Sequence, residues 1–329
     1  MGLTVSKPDS KPDPHRNPYP NMAVAPRANP LDYFSPDEWR ALTQRSAWRG
    51  IWLVAHAWGV IALAMAVGWM WPLTIPVAVL VIGNRQLGLA ILMHDAAHSC
   101  LHANRKVNDF VAYWFCSHAL SGYRPYHLQH HRYVQQTEDP DLVLSAPFPI
   151  HPASFVRKAL RDLTGQTFYK QRITPLVQDV LQHFRPVPGQ AGSSDFSPRG
   201  LRFLVGNLLG LAVFSALGLA WVWLLMWLLP MATWLPFISR VRNIAEHALV
   251  AQNEANPLRQ ARTTQANWLE RVLVAPYWVN YHLEHHLFTQ IPCWNLPKAH
   301  ALLRQRQVTP KMELEQGYLL LLRRATGVI

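Results

Sequence analysis

Two long apolar stretches constrain this chain more than any other feature of its sequence. Ile51–Met93 is almost entirely apolar, and Phe203–Ile238 contains no Asp, Glu, Lys or Arg. A helix needs about 20 residues to cross the hydrocarbon core of a bilayer. Each stretch therefore predicts a pair of membrane spans, the first pair turning near Trp71–Pro72 and the second near Leu219–Trp221.

We therefore predict an all-α integral membrane protein. Four transmembrane helices form two hairpins, at about 50–93 and 201–240, under a cytosolic helical cap made of residues 94–200 and 241–329. The first 34 residues are rich in proline, which predicts a disordered N-terminal arm over 1–34. Ser35, followed by a proline and two acids, is typical of a helix start, so the folded domain is predicted to cover 35–329.

The distribution of charge predicts how the protein lies in the membrane. The formal net charge is +12, from 31 Lys and Arg against 19 Asp and Glu, and within the two apolar stretches Arg85 is the sole basic residue. The positive-inside rule then places both termini and the segment between the hairpins on the cytoplasmic face. The membrane that we expect is a bacterial inner membrane. Attraction to anionic lipid explains the remaining excess, so no nucleic-acid partner is predicted. Arg85 is either a functional charge or an interfacial one.

The histidines carry most of the functional information. Nine of the sixteen fall in four short motifs, HDAAH, HLQHH, NIAEH and HLEHH. Spacings of three and four residues place side chains on one helix face, about 5–6 Å apart at Cβ. Two HxxHH motifs in one chain are far beyond chance, and all four motifs lie on the predicted cytoplasmic side. They predict convergence on one metal ion or on two neighbouring ones.

The donor set narrows the choice of metal. The three cysteines, Cys100, Cys116 and Cys293, are isolated, whereas structural zinc sites usually use thiolates. HDAAH resembles the zinc-protease motif HExxH only superficially, because Asp95 stands where that motif has its general-base Glu. Copper and nickel stay open by ligand type alone. Eight or nine imidazoles suit two iron ions with positions left free for O₂.

Three motifs carry a family resemblance: HDAAH, HLQHH followed by Glu138-Asp139-Pro140-Asp141, and NYHLEHH. Over about residues 35–310 the chain resembles the membrane fatty acid desaturase and hydroxylase superfamily. The resemblance implies a four-helix membrane anchor, a non-haem diiron centre, O₂ as co-substrate and two electrons from a carrier. The residues that match its metal-ligand positions are His94, His98, His127, His130, His131, His247, His282, His285 and His286, with Asn243 at a position that can contact a metal through water.

The expected activity is O₂-dependent introduction of a C=C double bond into a fatty-acyl chain, carried by an acyl lipid or an acyl thioester. The HxxxH form of the first motif and the His that begins the third are nearer to acyl-lipid and sphingolipid-type desaturases. A hydroxylase or ketolase, or a desaturase of a non-lipid small molecule, is the alternative on the same scaffold. A non-catalytic metal-binding or transport protein is a more remote one, because the proposed ligands lie beyond the spans.

Two further sets of residues have predicted roles. Asp95, Glu246 and Glu284 each adjoin a predicted ligand and either orient imidazoles or face solvent. The chain has no CxxC, haem-attachment or flavin motif, so electrons must come from a separate ferredoxin, rubredoxin or cytochrome b5-type protein. Such carriers are commonly acidic. The basic residues predicted either to dock the carrier or to touch lipid and solvent are Arg259, Arg262, Arg271, Arg304 and Arg306.

Overall fold

The computed structural model describes residues 24–117, 119–184 and 198–328. This part of the chain is mostly helical. Its α-helices are α1 Pro36–Thr43, α2 Arg49–Met70, α3 Ile75–Ala97, α4 Arg105–Val111, α5 Leu120–Arg132, α6 Leu142–Ser145, α7 Pro152–Leu163, α8 Gln166–Phe168, α9 Thr174–Phe184, α10 Pro198–Ala216, α11 Ala220–Trp223, α12 Leu229–Ala232, α13 Trp234–His247, α14 Trp268–Leu273, α15 His282–Leu287, α16 Leu296–Gln305 and α17 Tyr318–Ala325.

Shorter elements join these helices. Three π-helical segments are Ala112–Cys116, Tyr169–Ile173 and Leu224–Leu228, and six 3-10 turns are Pro30–Asp32, Pro72–Thr74, Pro257–Arg259, Pro276–Trp278, Cys293–Asn295 and Thr309–Lys311. Two two-residue strands, β1 Thr263–Thr264 and β2 Leu314–Glu315, pair in parallel with Thr263 opposite Leu314. The pairing ties the segment before the HLEHH motif to the C-terminal region.

The first hairpin forms where the sequence predicts it. Helices α2 and α3 are joined by Trp71 and the 3-10 turn Pro72–Thr74. Both are long and apolar enough to cross a membrane, but 56% of the apolar window of α3 is buried against 22% for α2. Helix α3 is therefore the central helix, and α2 presents exposed tryptophans such as Trp52 and Trp69 to the surroundings, as a lipid-facing helix does.

The second apolar stretch folds less symmetrically than predicted. It breaks at Gly218, whose positive φ of 72° suits a turn, just before the predicted turn. From Ala220 a helical path of 28 residues runs to His247, long and apolar enough to span, whereas the apolar helix before the break covers only Gly200–Ala216. The described residues thus contain three helices that meet the length and composition of a membrane span, and the fourth stays a prediction.

The folded body begins earlier than residue 35. Ser35 caps α1 as predicted, with its side chain accepting from the Glu38 N–H and Glu38 accepting from the Ser35 N–H. Upstream, Phe34 is buried, and its ring lies 5.0 Å from that of Phe288. The Ala25 N–H also donates to the Arg132 carbonyl. Residues 24–34 of the predicted arm therefore pack on the body, because aromatic contacts offset its proline-rich composition; residues 1–23 lie outside the described part.

A glycine at the start of α2 sets how closely the first span approaches the cap. A Cβ on Gly50 would lie 1.9 Å from the Leu101 carbonyl oxygen, which is a backbone atom and cannot rotate away. Gly50→Ala should therefore destabilise the protein by about 1–3 kcal/mol, as overpacking does, and lower the thermal midpoint in detergent. Gly59→Ala in the same helix is the control, since its Cβ would meet nothing within 4 Å. Equal midpoints for the two variants would contradict this packing.

Candidate metal centre

All nine histidines of the motifs converge, and they do so as two groups. Within each group the ligating nitrogens lie within 4.8 Å of one another. The five-histidine cluster consists of His94, His98, His127, His131 and His285, and the four-histidine cluster consists of His130, His247, His282 and His286. Two separate groups of donors are the arrangement that two neighbouring metal ions require.

Four chain segments position these side chains. His94 lies in the last turn of α3 and His98 caps its C-terminus, while His247 is the last residue of α13. The remaining six come from the short helices α5 and α15. The apolar spans therefore end where the imidazoles begin, which places the site at the border between the apolar helices and the polar cap.

The helical period explains how the motifs divide between the clusters. On α5, His127 and His131 are four residues apart and join the five-histidine cluster, whereas His130 points to the other cluster. On α15, His282 and His286 share the four-histidine cluster and the residue between them, His285, joins the first. Side chains at i and i+4 lie on one stripe of a helix, and i+3 is displaced around it. Each HxxHH helix thus contributes to both clusters.

The spacing of the imidazoles fits a common cation. In the five-histidine cluster the Nε2 atoms of His127 and His131 lie 2.9 Å apart, and those of His131 and His285 lie 3.0 Å apart. In the four-histidine cluster the Nε2 atoms of His247 and His282 lie 2.9 Å apart. Nitrogens bound at about 2.1 Å to one ion, at angles between octahedral and tetrahedral, are separated by about 3.0–3.4 Å.

Two further observations indicate that these imidazoles are suited to bind a metal ion. The Nε2 atoms of His94 and His98 are buried and have no hydrogen-bond partner among the described residues. A buried polar atom without a partner is costly, so these nitrogens are suited to an ion. Burial lowers the pKa of His98 to about 4, and the pKa values of His131 and His285 also fall well below the usual range. At neutral pH these imidazoles are uncharged, which is the form that binds metal.

A buried aspartate holds one of the imidazoles in place. The Nδ1 of His130 lies 2.7 Å from Asp139 Oδ1 and donates to it, which directs Nε2 into the four-histidine cluster. The same oxygen accepts from the Asp141 N–H, and Asp139 Oδ2 accepts from the Gln135 N–H, both at 2.9 Å. No role was predicted for Asp139 from the sequence, although it lies in the Glu138-Asp139-Pro140-Asp141 run. The sequence signal that points to it is an acid nine residues after His130.

The three acids expected beside ligands differ from one another. Glu246 lies behind the cluster, with Oε1 3.5 Å from His282 Nδ1 and an ion pair to Arg242 at 2.6 Å. Asp95 is buried and accepts from the Cys293 N–H, so it fixes the loop after α15. Glu284 is fully buried, and none of its hydrogen bonds in the described part goes to a cluster histidine.

Glu284 has partners that neither reading of the sequence anticipated. Its Oε1 lies 2.5 Å from His300 Nδ1, and its Oε2 accepts from the Thr263 hydroxyl. The carboxylate thus joins α15 to α16 and to β1. The expectation that Glu284 either orients the imidazole of a ligand or faces solvent was wrong, because Glu284 is buried and the imidazole that it bonds is that of His300, outside the two clusters.

A small cavity adjoins the four-histidine cluster. It encloses about 190 Å³, and Asn243 lines it together with His130, His247 and His282, and with His127 of the five-histidine cluster. Tyr123, Tyr126, Asp141, Ser145, Arg242 and Glu246 supply polar groups to its wall, while Leu144 is its only aliphatic lining residue in the described part. The structure therefore places Asn243 beside the cluster, next to a space of mostly polar character.

Comparison with known proteins accounts for this arrangement. A family model described as fatty acid desaturase matches residues 70–315, which include every histidine of the two clusters. The chain belongs to the fatty acid desaturase family. Family members are oxidoreductases, and this protein is accordingly a desaturase-type enzyme with membrane helices and histidine boxes.

Three relatives show the range within this family. The chain is 30% identical over 250 residues to a dihydrorhizobitoxine desaturase of Bradyrhizobium elkanii, covering 72% of this chain and 68% of the relative. It is 25% identical to an sn-1 oleoyl-lipid 12-desaturase of a Picosynechococcus species, over 79% and 77% of the two chains. A chloroplastic omega-6 fatty acid desaturase of Brassica napus is 23% identical, over 82% and 62%.

The structure also bears on the arginines considered as a docking face. Arg262 is fully buried, and its guanidinium donates to the Ala248 carbonyl at 2.7 Å and to Glu313 at 3.1 Å. Its predicted place on a docking face was therefore wrong. Arg306 pairs with Glu38 at 2.6 Å. Those that stay exposed without an ion pair in the described part are Arg259, Arg271 and Arg304.

Arg85 lies in the middle of the central helix. Its Nε donates to the neighbouring Asn84 Oδ1 at 3.0 Å, and its guanidinium carbon is 5.3 Å from the Tyr277 ring centre. Tyr277 in turn donates to the Leu53 carbonyl at 3.1 Å. The Asn84 amide and the Tyr277 ring thus accommodate the partly buried Arg85 guanidinium. These contacts link the first hairpin to the turn before HLEHH.

Proposed function

We propose that the protein is an O₂-dependent diiron desaturase that introduces a C=C bond into the acyl chain of a membrane lipid or acyl thioester. The observation that carries the proposal is the pairing of a five- and a four-histidine cluster at the ends of membrane-type helices. The reaction balances as R–CH₂–CH₂–R′ + O₂ + 2e⁻ + 2H⁺ giving R–CH=CH–R′ + 2H₂O. Two bound irons would supply the O₂ chemistry that removes hydrogen from a methylene.

The residues of the chain hold and shield this site. The nine imidazoles would bind the two ions as neutral nitrogen donors, with Asn243 contacting one through water. Asp139 keeps the His130 ring in one tautomer and orientation, which preorganises its nitrogen for a metal. Most of the nine rings are buried, so bulk water is kept from the reacting atoms. Iron suits this set of donors better than zinc, because neutral nitrogens replace the thiolates of structural zinc sites.

A small polar substrate is the second candidate, and a specific observation favours it. The cavity beside the four-histidine cluster is small and mostly polar, which suits a compact hydrophilic molecule better than the tail of a long acyl chain. The name of the Bradyrhizobium relative refers to dihydrorhizobitoxine, and the names of the other two refer to lipid or fatty acid. A hydroxylase or ketolase on the same scaffold would add oxygen instead.

Expression in a desaturase-deficient bacterial host tests the function. We expect new acyl chains lighter by two hydrogens, absent from cells that express the His285→Ala variant. Polar metabolites from the same cells are profiled in parallel, so that a dehydrogenated small molecule would identify the second candidate. A product heavier by one oxygen would replace desaturation with hydroxylation. No difference from the variant in any fraction, with metal-loaded protein in the membrane, would contradict the proposal.

The proposed orientation has its own test. Both termini and the segment between the hairpins lie on the cytoplasmic face of the inner membrane, because the hairpin tips carry no charge and the flanks are basic. Single cysteines or reporter tags at positions 5, 190 and 320 should therefore all report the cytoplasm. A periplasmic signal at one of the three would require an odd number of spans between that position and the others.

A further inference from the structure

A second opening reaches the metal centre from another direction. A groove of about 530 Å³ is lined by His98 and His131, two members of the five-histidine cluster. The cavity beside Asn243 is lined by neither of these residues. The groove is bounded by Val24 and Arg27 of the N-terminal segment, by α5 and by the loop after α15. It thus connects the protein surface to imidazole edges that the small cavity does not reach.

The rim of this groove has the character of a protein-docking site. Arg27 is exposed and Arg132 half-buried, and no Asp or Glu lines the groove among the residues that the structure describes. Val24 and Leu128 are 42% and 45% exposed, so the groove also presents apolar side chains to the surroundings. Apolar side chains beside arginines that form no ion pair with a described residue match a partner with an acidic rim around an apolar patch.

We propose that this groove is the docking site of an acidic one-electron carrier protein, an inference that rests on the proposed desaturase function. The reaction needs two electrons per turnover, and the chain has no redox motif of its own to supply them. A carrier seated here would place its redox group against His98 and His131. Two reduced carrier molecules would each be oxidised by one electron, which balances the reaction written above.

The alternative basic surfaces fit this role less well. Arg259, Arg271 and Arg304 line neither opening to the clusters, and Arg262 is buried. Anionic lipid headgroups would also be attracted by Arg27 and Arg132. However, Val24 and Leu128 are the only aliphatic residues that line the groove in the described part, which is too little apolar surface to hold an acyl chain, whereas a groove that ends on metal-ligating imidazoles shortens the path for an electron.

Binding to the metal-free full-length protein in zwitterionic nanodiscs tests the site without any turnover. The probes are a plant-type [2Fe–2S] ferredoxin, a rubredoxin and a soluble cytochrome b5 domain. We expect at least one to bind, with affinity falling as salt shortens the screening length. Arg27→Glu together with Arg132→Glu should weaken that binding at least tenfold at low salt. The exposed pair Arg259→Glu and Arg304→Glu is the matched control and should change it less than twofold.

The remaining outcomes overturn the docking site. They are binding of none of the three carriers, weakening by the control pair alone, or equal weakening by both pairs. Loss of affinity for anionic phosphatidylglycerol vesicles with carrier binding intact would make the groove a lipid site. Because Arg132 is half-buried, Arg27→Glu alone and Arg132→Gln are measured too, with thermal midpoints to confirm folding. Intact carrier binding by a protein that yields no desaturated product would contradict the proposed function and leave the docking site standing.

Discussion

Replacing His285 by alanine should reduce turnover to background while the protein still inserts into the membrane. His285 Nε2 lies 3.0 Å from His131 Nε2, so its loss opens a gap in the five-histidine cluster. His130→Ala should have the same effect through the four-histidine cluster. Each variant is expected to lose metal from one cluster, because a missing donor weakens binding and misplaces the ion. Product analysis and metal content of the purified protein are the two measurements.

The control for both variants is a histidine outside the clusters. His151 is exposed at the start of α7, where its ring accepts from the Ala153 N–H. His151→Ala should leave product formation and metal content close to those of the unmodified protein. If either cluster variant kept full metal and near-normal activity, the proposed ligand set would be wrong.

Asp139→Asn should lower metal affinity or activity by about 10–100-fold, the usual cost of losing a carboxylate behind a ligand. Both oxygens of Asp139 accept hydrogen bonds, from His130, Gln135 and Asp141. An amide of the same size must turn its NH₂ toward one of these donors, so at least one bond is lost. The negative charge that favours the His130 tautomer is lost as well.

Glu138→Gln is the matched control, since it removes a charge from the neighbouring position. The Glu138 carbonyl accepts from the Gln129 side chain, and this backbone contact survives the substitution. We expect little change in metal content or activity. Equal loss in the two variants would mean that the charge of the whole motif matters, and not the bond from His130 to Asp139.

Much of the architecture follows from local sequence. Apolar length predicted the first hairpin and its turn at Trp71–Pro72. The histidines four residues apart in HLQHH and HLEHH share a face as predicted, whereas the one at a spacing of three joins the other cluster. These inferences hold because they concern neighbours on one helix, whose geometry does not depend on distant residues. In the second stretch the break at Gly218 lies beside the predicted turn, and Ala220–His247 is long and apolar enough to span, whereas the helix before the break covers only Gly200–Ala216, so the fourth span stays a prediction.

Contacts between distant segments could not be predicted in this way. Arg262 resembles any basic surface residue in the sequence, yet Glu313 and two carbonyls of the α13 end bury it completely. Glu284 lies between cluster histidines but pairs with His300, sixteen residues away on another helix. Whether a charged side chain is buried depends on the partner that compensates its desolvation, and the tertiary fold selects that partner.

The sequence by itself determined which donors exist and which of them share a helix face. Only the tertiary structure decided that α5 and α15 stand between the two groups, so that each supplies both clusters. It also brought residues 24–27, the end of α3 and the loop after α15 together around the groove at His98 and His131. Helical periodicity orders side chains along one element, whereas the relative placement of elements depends on the packing of all of them at once.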